Sequence, residues 1–187
     1  MQIDLKKFIP VILTIVVIYA IWLGAPSILV KWIFICGILV TLLFYYAIIG
    51  GSMGLDSAKL LPLYLIALSV QFLHFLEEYH GQLYEKLPLL FDFPPVDRDA
   101  FINFNLVAYS IFILGALAIY LKKKVFMLIP LFFILFGTLA NAVLHCLLAL
   151  WQGSYFPGLY TAFIYLILGP MMIRILLQKK IGNSTNW

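Results

Sequence analysis

The sequence predicts an all-α integral membrane protein, a polytopic bundle of six transmembrane helices with both termini cytoplasmic. Three observations carry this. Of 187 residues, 65% are hydrophobic and only 11% charged, against about a quarter charged in soluble domains. The mean hydropathy is +1.08. Six apolar runs are each close to the ~20 residues needed to cross a ~30 Å hydrocarbon core. The basic residues gather at the ends of those runs, where they set orientation.

The first run, Phe8 to Gly24, is short but sufficient. It follows Lys6 and Lys7 as a signal peptide would. It lacks a convincing small-residue cleavage site and a second run follows at once, so it reads as a retained helix. The others are Ser27 to Ile49, Leu60 to Tyr79, Phe101 to Leu121, Val125 to Leu150 and Gly158 to Leu177. Breakers separate them: Ala25-Pro26, Gly50-Gly51 with Gly54, Pro94-Pro95, Gly153 and Pro157-Gly158. All belong to a single transmembrane domain without internal repeats. With six spans, nine Lys and Arg fall on the side of the termini (Lys6, Lys7, Lys59, Lys122, Lys123, Lys124, Arg174, Lys179 and Lys180) and three on the other (Lys31, Lys86 and Arg98). The bias places both termini in the cytoplasm and the chain in the plasma membrane. The net charge of +4 is thus a topology signal, with no nucleic-acid partner implied. Cys36 and Cys146 lie inside apolar runs and imply no disulfide framework. The long external connector, Gly81 to Asp99, is too apolar for a free loop. It either lies in the interface or folds over the outer mouth of the bundle.

Polar side chains concentrate in the outer halves of the third to sixth runs, leaving the first two as scaffold. Near the end of the third run stands His74-Phe75-Leu76-Glu77-Glu78. At about 100° per residue, Glu77 lies roughly 60° to one side of His74 and Glu78 roughly 40° to the other. An ionisable group at membrane depth costs roughly 2.5–3.5 kcal/mol on insertion scales. Headgroup water at the helix exit would explain the glutamates alone, but not an imidazole at helical spacing from both. The fifth run carries Asn141 and His145 at i and i+4, at a depth that matches His74. By itself His145 reads as a core histidine and Asn141 as interhelical glue. Asn105 begins the fourth run beside Asn103, where both also suit interfacial caps. Tyr155 and Tyr160 flank Pro157-Gly158, where aromatic-belt residues are common. Asn105, Tyr155 and Tyr160 are the candidate substrate contacts. His80 points to another face.

The string His74-x-x-Glu77-Glu78 resembles the signature of the HXXEE membrane-protein family. Asn141-x-x-x-His145 and Tyr155-x-Pro157-Gly158 resemble its second and third blocks, and the resemblance runs roughly from Leu60 to Leu177. It implies that these residues form a site and names no reaction.

The residues themselves suggest one. His74, His145 and Glu78 would supply two imidazoles and a carboxylate, the donor set of catalytic zinc sites with one open position. Glu77 would be the spare carboxylate and general base, with the two glutamates interchangeable in these roles, and Asn141 an oxyanion donor. The chain is therefore expected to be a metal-dependent enzyme with hydrolase-type chemistry on a lipid or another small hydrophobic substrate. Two other readings use the same residues. One is a metal-free Glu/His proton-transfer isomerase acting on a lipid. The other is a proton-coupled carrier or lipid-binding protein.

Overall fold

The computed structural model describes residues 8–48 and 56–178. Among the described residues every regular element is helical. Helix α1 is Ile9–Gly24 and α2 is Ile28–Ile48. Pro10 sits in the first turn of α1, where its missing N–H costs nothing. Helix α3 is Ser57–His80, started by the Asp56 carboxylate accepting from the Lys59 amide. Asp97 caps α5 (Arg98–Tyr120) in the same way, accepting from Ala100 N at 2.8 Å. Lys124–Gln152 is a continuous helical rod. It opens with a 3₁₀ turn, then runs through α6 (Leu128–Phe132), a π-helical segment Phe133–Ala140 and α7 (Asn141–Gln152). Gly153, at φ +65°, closes it. Helix α8 is Leu159–Leu177.

Each of the six expected runs is therefore a helix, with ends that agree to within a few residues. Five are long and apolar enough to cross a membrane; α1, at 16 residues, is apolar but shorter. At 1.5 Å per residue it covers about 24 Å. Ile49, Gly50, Gly51 and Gly54 lie outside the described residues, as do Lys6, Lys7, Lys179 and Lys180 of the charge bias.

Helix α8 is the centre of the packing. It lies against α3, α7 and the π segment, while α5 packs on α3 and α6, and α1 packs on α2. The core is built from fully buried side chains, among them Leu60, Tyr64, Phe133, Ile134, Tyr165 and Met172. Gly169 lets α8 approach the π segment: a Cβ there would stand 3.1 Å from Leu139 and 3.3 Å from Thr138. The outward faces are studded with exposed Leu, Ile, Val and Phe, the reverse of a soluble protein's surface. The buried polar residues Gln71, His74, Glu78 and His145 all lie toward one end of the bundle.

That end is covered by the connector after α3. It forms a short helix, α4 (Leu83–Leu89), entered through Gln82 in the left-handed region at φ 60°. Leu83 is buried against Leu148, Ala149 and Phe156, with Leu87 and Leu90 beside it. Burial of these apolar groups explains why a segment with Glu85, Asp92, Asp97 and Asp99 is not a free loop. Of the two expected placements, the structure has the fold-over.

Candidate metal centre

Residues 74, 77 and 78 sit on the last two turns of α3. Consecutive helical residues are about 100° apart, and that angle sends the two carboxylates to different neighbours. Glu78 turns toward α7 and Glu77 toward the start of α8.

Glu78 is buried, with 6% of its surface accessible, and its companions His74 and His145 are at 0% and 2%. Its Oε1 lies 3.1 Å from His74 Nε2 and 3.2 Å from His145 Nε2. The two imidazoles meet edge to face, with centroids 4.9 Å apart. One ligand atom from each of these three residues falls within 4.8 Å of the others. Ligands bonded to zinc at about 2.0–2.1 Å in tetrahedral geometry stand about 3.3 Å apart. The donor set and the two carboxylate edges therefore fit a small divalent ion.

Glu77 has a different task. Its Oε1 accepts from the Tyr160 amide at 2.9 Å and the Tyr155 hydroxyl at 3.0 Å. Its Oε2 accepts from the Thr161 amide at 3.0 Å and the Thr161 hydroxyl at 2.6 Å. Both amides belong to the first turn of α8, where backbone donors lack partners and the helix dipole favours an anion. Glu77 caps α8 from a different helix. Partial burial and the adjacent Glu77 carboxylate push the Tyr155 hydroxyl up to about 12, so it stays a donor.

Thr161 joins the two carboxylates' surroundings. Its Oγ1 is 2.6 Å from His74 Nδ1. A hydroxyl has one proton, and here it goes to the Glu77 carboxylate. His74 must then donate Nδ1–H to Thr161. This fixes the tautomer and leaves the Nε2 lone pair facing Glu78 Oε1 and Asn141 Nδ2, the latter at 2.7 Å. Metal-binding histidines are held by the same kind of support: the ring N–H away from the metal donates to an oxygen tied to a carboxylate.

The close approach depends on Gly158, at φ +91°. A Cβ there would stand 2.5 Å from His145 Cε1, 2.6 Å from His145 Nδ1 and 2.9 Å from His74 Cε1. The left-handed backbone also favours glycine. Pro157 in turn packs on Gly81, where a Cβ would be 2.5 Å from its ring. The buried His145 Nδ1 has no hydrogen-bond partner among the described residues.

A cavity of about 190 Å³ opens beside Glu78, His145 and Asn141. Ser27 lies in its wall, as do Gln71, Asn105 and Tyr109, the last three in one hydrogen-bonded chain. These are linked: Tyr165 donates to Gln71 Oε1 at 2.7 Å, Gln71 Nε2 donates to the Tyr109 oxygen at 3.3 Å, and Tyr109 donates to Asn105 Oδ1 at 3.1 Å. The connector contributes Leu83, Tyr84 and Val96 to the wall, and α2 contributes Val30, Ile33 and Phe34. Helix α2 is thus more than scaffold.

Of the residues singled out in sequence, His74, Glu78, Asn141 and His145 converge, and Asn105 lines the same cavity. Glu77 does not border it, and neither do Tyr155 or Tyr160. Tyr155 serves Glu77, and the Tyr160 ring is 66% exposed while its amide holds Glu77. Thr161, Gly158, Gln71 and Tyr165 are the participants that the candidate set lacks. Gly158 is part of the Tyr155-x-Pro157-Gly158 string, and Thr161 follows it by three residues.

A family model described as "Protein of unknown function with HXXEE motif" matches residues 65–173, more than half of the chain. The matched segment begins in α3, ends in α8 and contains every residue of the cluster. No curated protein and no solved structure matches the chain.

Proposed function

We propose that this chain, which belongs to the HXXEE family, is a membrane-embedded metal-dependent enzyme that acts on a lipid or another membrane-partitioned substrate. It crosses the plasma membrane six times with both termini cytoplasmic, and its site lies in the outer half of the bilayer. The metal, zinc in the first instance, is held by His74, His145 and Glu78.

One observation carries the reading. The Nδ1 proton of His74 is committed to Thr161, so its Nε2 presents a lone pair to a buried carboxylate oxygen 3.1 Å away. Nε2 already accepts from the Asn141 amide at 2.7 Å, but a carboxylate buried against that nitrogen still favours a positive centre between them. The second imidazole at 3.2 Å from the same oxygen makes a metal the better-suited centre.

A bound divalent ion supplies Lewis-acid polarisation and a water of lowered pKa. The chain's own groups do the rest. Glu78 borders both the proposed metal position and the cavity; bound through one carboxylate oxygen, it would keep the other as an acceptor for a water proton. With Nε2 committed to an ion, the Asn141 amide, now 2.7 Å from that nitrogen, would be free to donate to a substrate oxyanion. Glu77 and Thr161 keep His74 in the required tautomer. The cavity wall is mostly Leu, Val, Ile and Phe, which suits an apolar substrate with a single polar group.

A second reading keeps Glu78 and the two histidines without a metal. Both carboxylate–imidazole distances also suit shared protons, with a second proton on His74 as the positive centre. The site would then run proton-transfer chemistry such as lipid double-bond isomerisation.

Elemental analysis of protein purified in mild detergent without chelators separates the two. About one zinc per chain is expected, lost in His74→Ala and His145→Ala variants that remain monodisperse. Wild-type protein that holds no metal and takes up none on titration overturns the metal reading in favour of the second.

A further inference from the structure

We infer that a lipid hydrocarbon chain reaches the site sideways, through the groove between α1 and α5 and past a gate of phenylalanines. The inference rests on the proposed site only for what happens at the end of the path.

A second cavity, of about 430 Å³, runs between α1 and α5 over α2 and α6. One wall is the α1 face from Leu13 to Gly24 and the other is the α5 face from Ala100 to Ile111. Each stretch spans about 16 Å at 1.5 Å per residue, close to half of a ~30 Å hydrocarbon core. The groove is therefore as long as one leaflet is deep. Small side chains open it: Ala20 and Gly24 on α1 face Ala100 and Ala108 on α5. Asn103 is the only polar residue in its lining.

This groove and the site cavity share a wall. Phe34, Phe104, Ala108, Phe112 and Phe132 line both. The partition is made of aromatic side chains. Phe34 meets Phe104 edge-on at 5.0 Å and Phe132 at 5.8 Å. Phe34 and Phe104 are only half-buried. Side chains move between staggered rotamers, so the wall opens without moving a helix. Beyond it the lining changes to Gln71, Asn105, Asn141, Glu78 and His145. The order along the path is apolar groove, aromatic gate, polar pocket. The matching ligand is a lipid with one long hydrocarbon chain in the groove and a polar reacting group past the gate.

The experiment uses the full chain in nanodiscs of phosphatidylcholine that carries a photoactivatable diazirine in its acyl chain. Labelled residues are mapped by mass spectrometry, and metal content is measured on the same preparation. The expected result is labelling of Val107 and Phe34 several-fold above that of Leu147 and Ile167, which are also exposed on the outside of the bundle. Ala20→Phe, on an exposed face of the groove, should remove most of the Phe34 label and leave Leu147 unchanged. Even labelling of all outward residues with none at Phe34 would overturn the inference. So would Phe34 labelling that Ala20→Phe leaves intact. The arms separate from the metal reading. Metal-free protein with strong Phe34 labelling keeps the path and removes the metal, and the converse does the reverse.

Discussion

Glu77 and Glu78 are neighbours in sequence and unlike in every physical respect. Glu77 is half-buried, touches no imidazole and accepts four hydrogen bonds from the start of α8. Glu78 is buried, borders the cavity and, among the described residues, is paired with His74 and His145 alone. The first carboxylate is held by four fixed donors. The second sits between two imidazoles, at the position proposed for the metal. A helix turns about 100° between them, and that angle sends the two carboxylates to different partners.

The sharpest way to break the comparison is to neutralise each in turn. Glu78→Gln should abolish stoichiometric metal binding. Glu77→Gln should retain about one metal per chain with affinity lowered roughly 10–100-fold, the usual range for an outer partner of a ligand. Metal titration of both variants by calorimetry checks this, and the opposite ranking would assign the ligand to Glu77.

Next in size is Gly158→Ala. It combines a left-handed backbone at φ +91° with a Cβ 2.5 Å from His145. Such strain costs on the order of 1–3 kcal/mol, and the clash falls on a ligand. Lower thermal stability and weakened metal binding should appear together. A variant as stable as wild type, with unchanged affinity, would show that the close approach of α8 to the histidines is wrong.

Thr161 should behave as a link, with a smaller effect. Thr161→Val should weaken metal binding about as much as Glu77→Gln, roughly 10–100-fold. The double variant should be no worse than either single one, because both cut one chain of hydrogen bonds. Thr161→Ser, which keeps the hydroxyl, should restore most of the affinity. Additive losses in the double variant would mean that Glu77 and Thr161 act separately.

The smallest effect belongs to Tyr155→Phe. It removes one of four donors to Glu77 at a site 41% exposed. The expected loss in unfolding free energy is at most about 1 kcal/mol, with metal stoichiometry unchanged. A loss of metal there would make Tyr155 a direct participant.

The sequence reveals the helices because a membrane demands long apolar runs and internal backbone satisfaction. The His74, Glu78, Asn141 and His145 set was legible for a related reason: polar groups at that depth stand out against hydrocarbon. The division between Glu77 and Glu78 was not legible. It depends on where the first turn of α8 comes to rest, and no local signal near residue 77 carries that. Thr161 and Gly158 stood beside and within the third block, but a hydroxyl and a missing side chain at a helix start carry no sign of their role. The π segment before Asn141 sets the angle at which α7 presents its ligands, and apolar periodicity over Phe133–Ala140 does not distinguish it from an α-helix. The folded-over connector was half legible. Leu83, Leu87 and Leu90 among acids argued against a free loop, without showing which surface they cover.

If two imidazoles and the Glu78 carboxylate share one metal, X-ray absorption at the zinc edge of purified, zinc-loaded protein should show it. Two imidazole nitrogens are expected at about 2.0–2.1 Å, with light oxygen ligands completing the shell and the imidazole signal reduced to one in His145→Ala. Sulfur in the coordination shell, or a spectrum unchanged by His145→Ala, would contradict it.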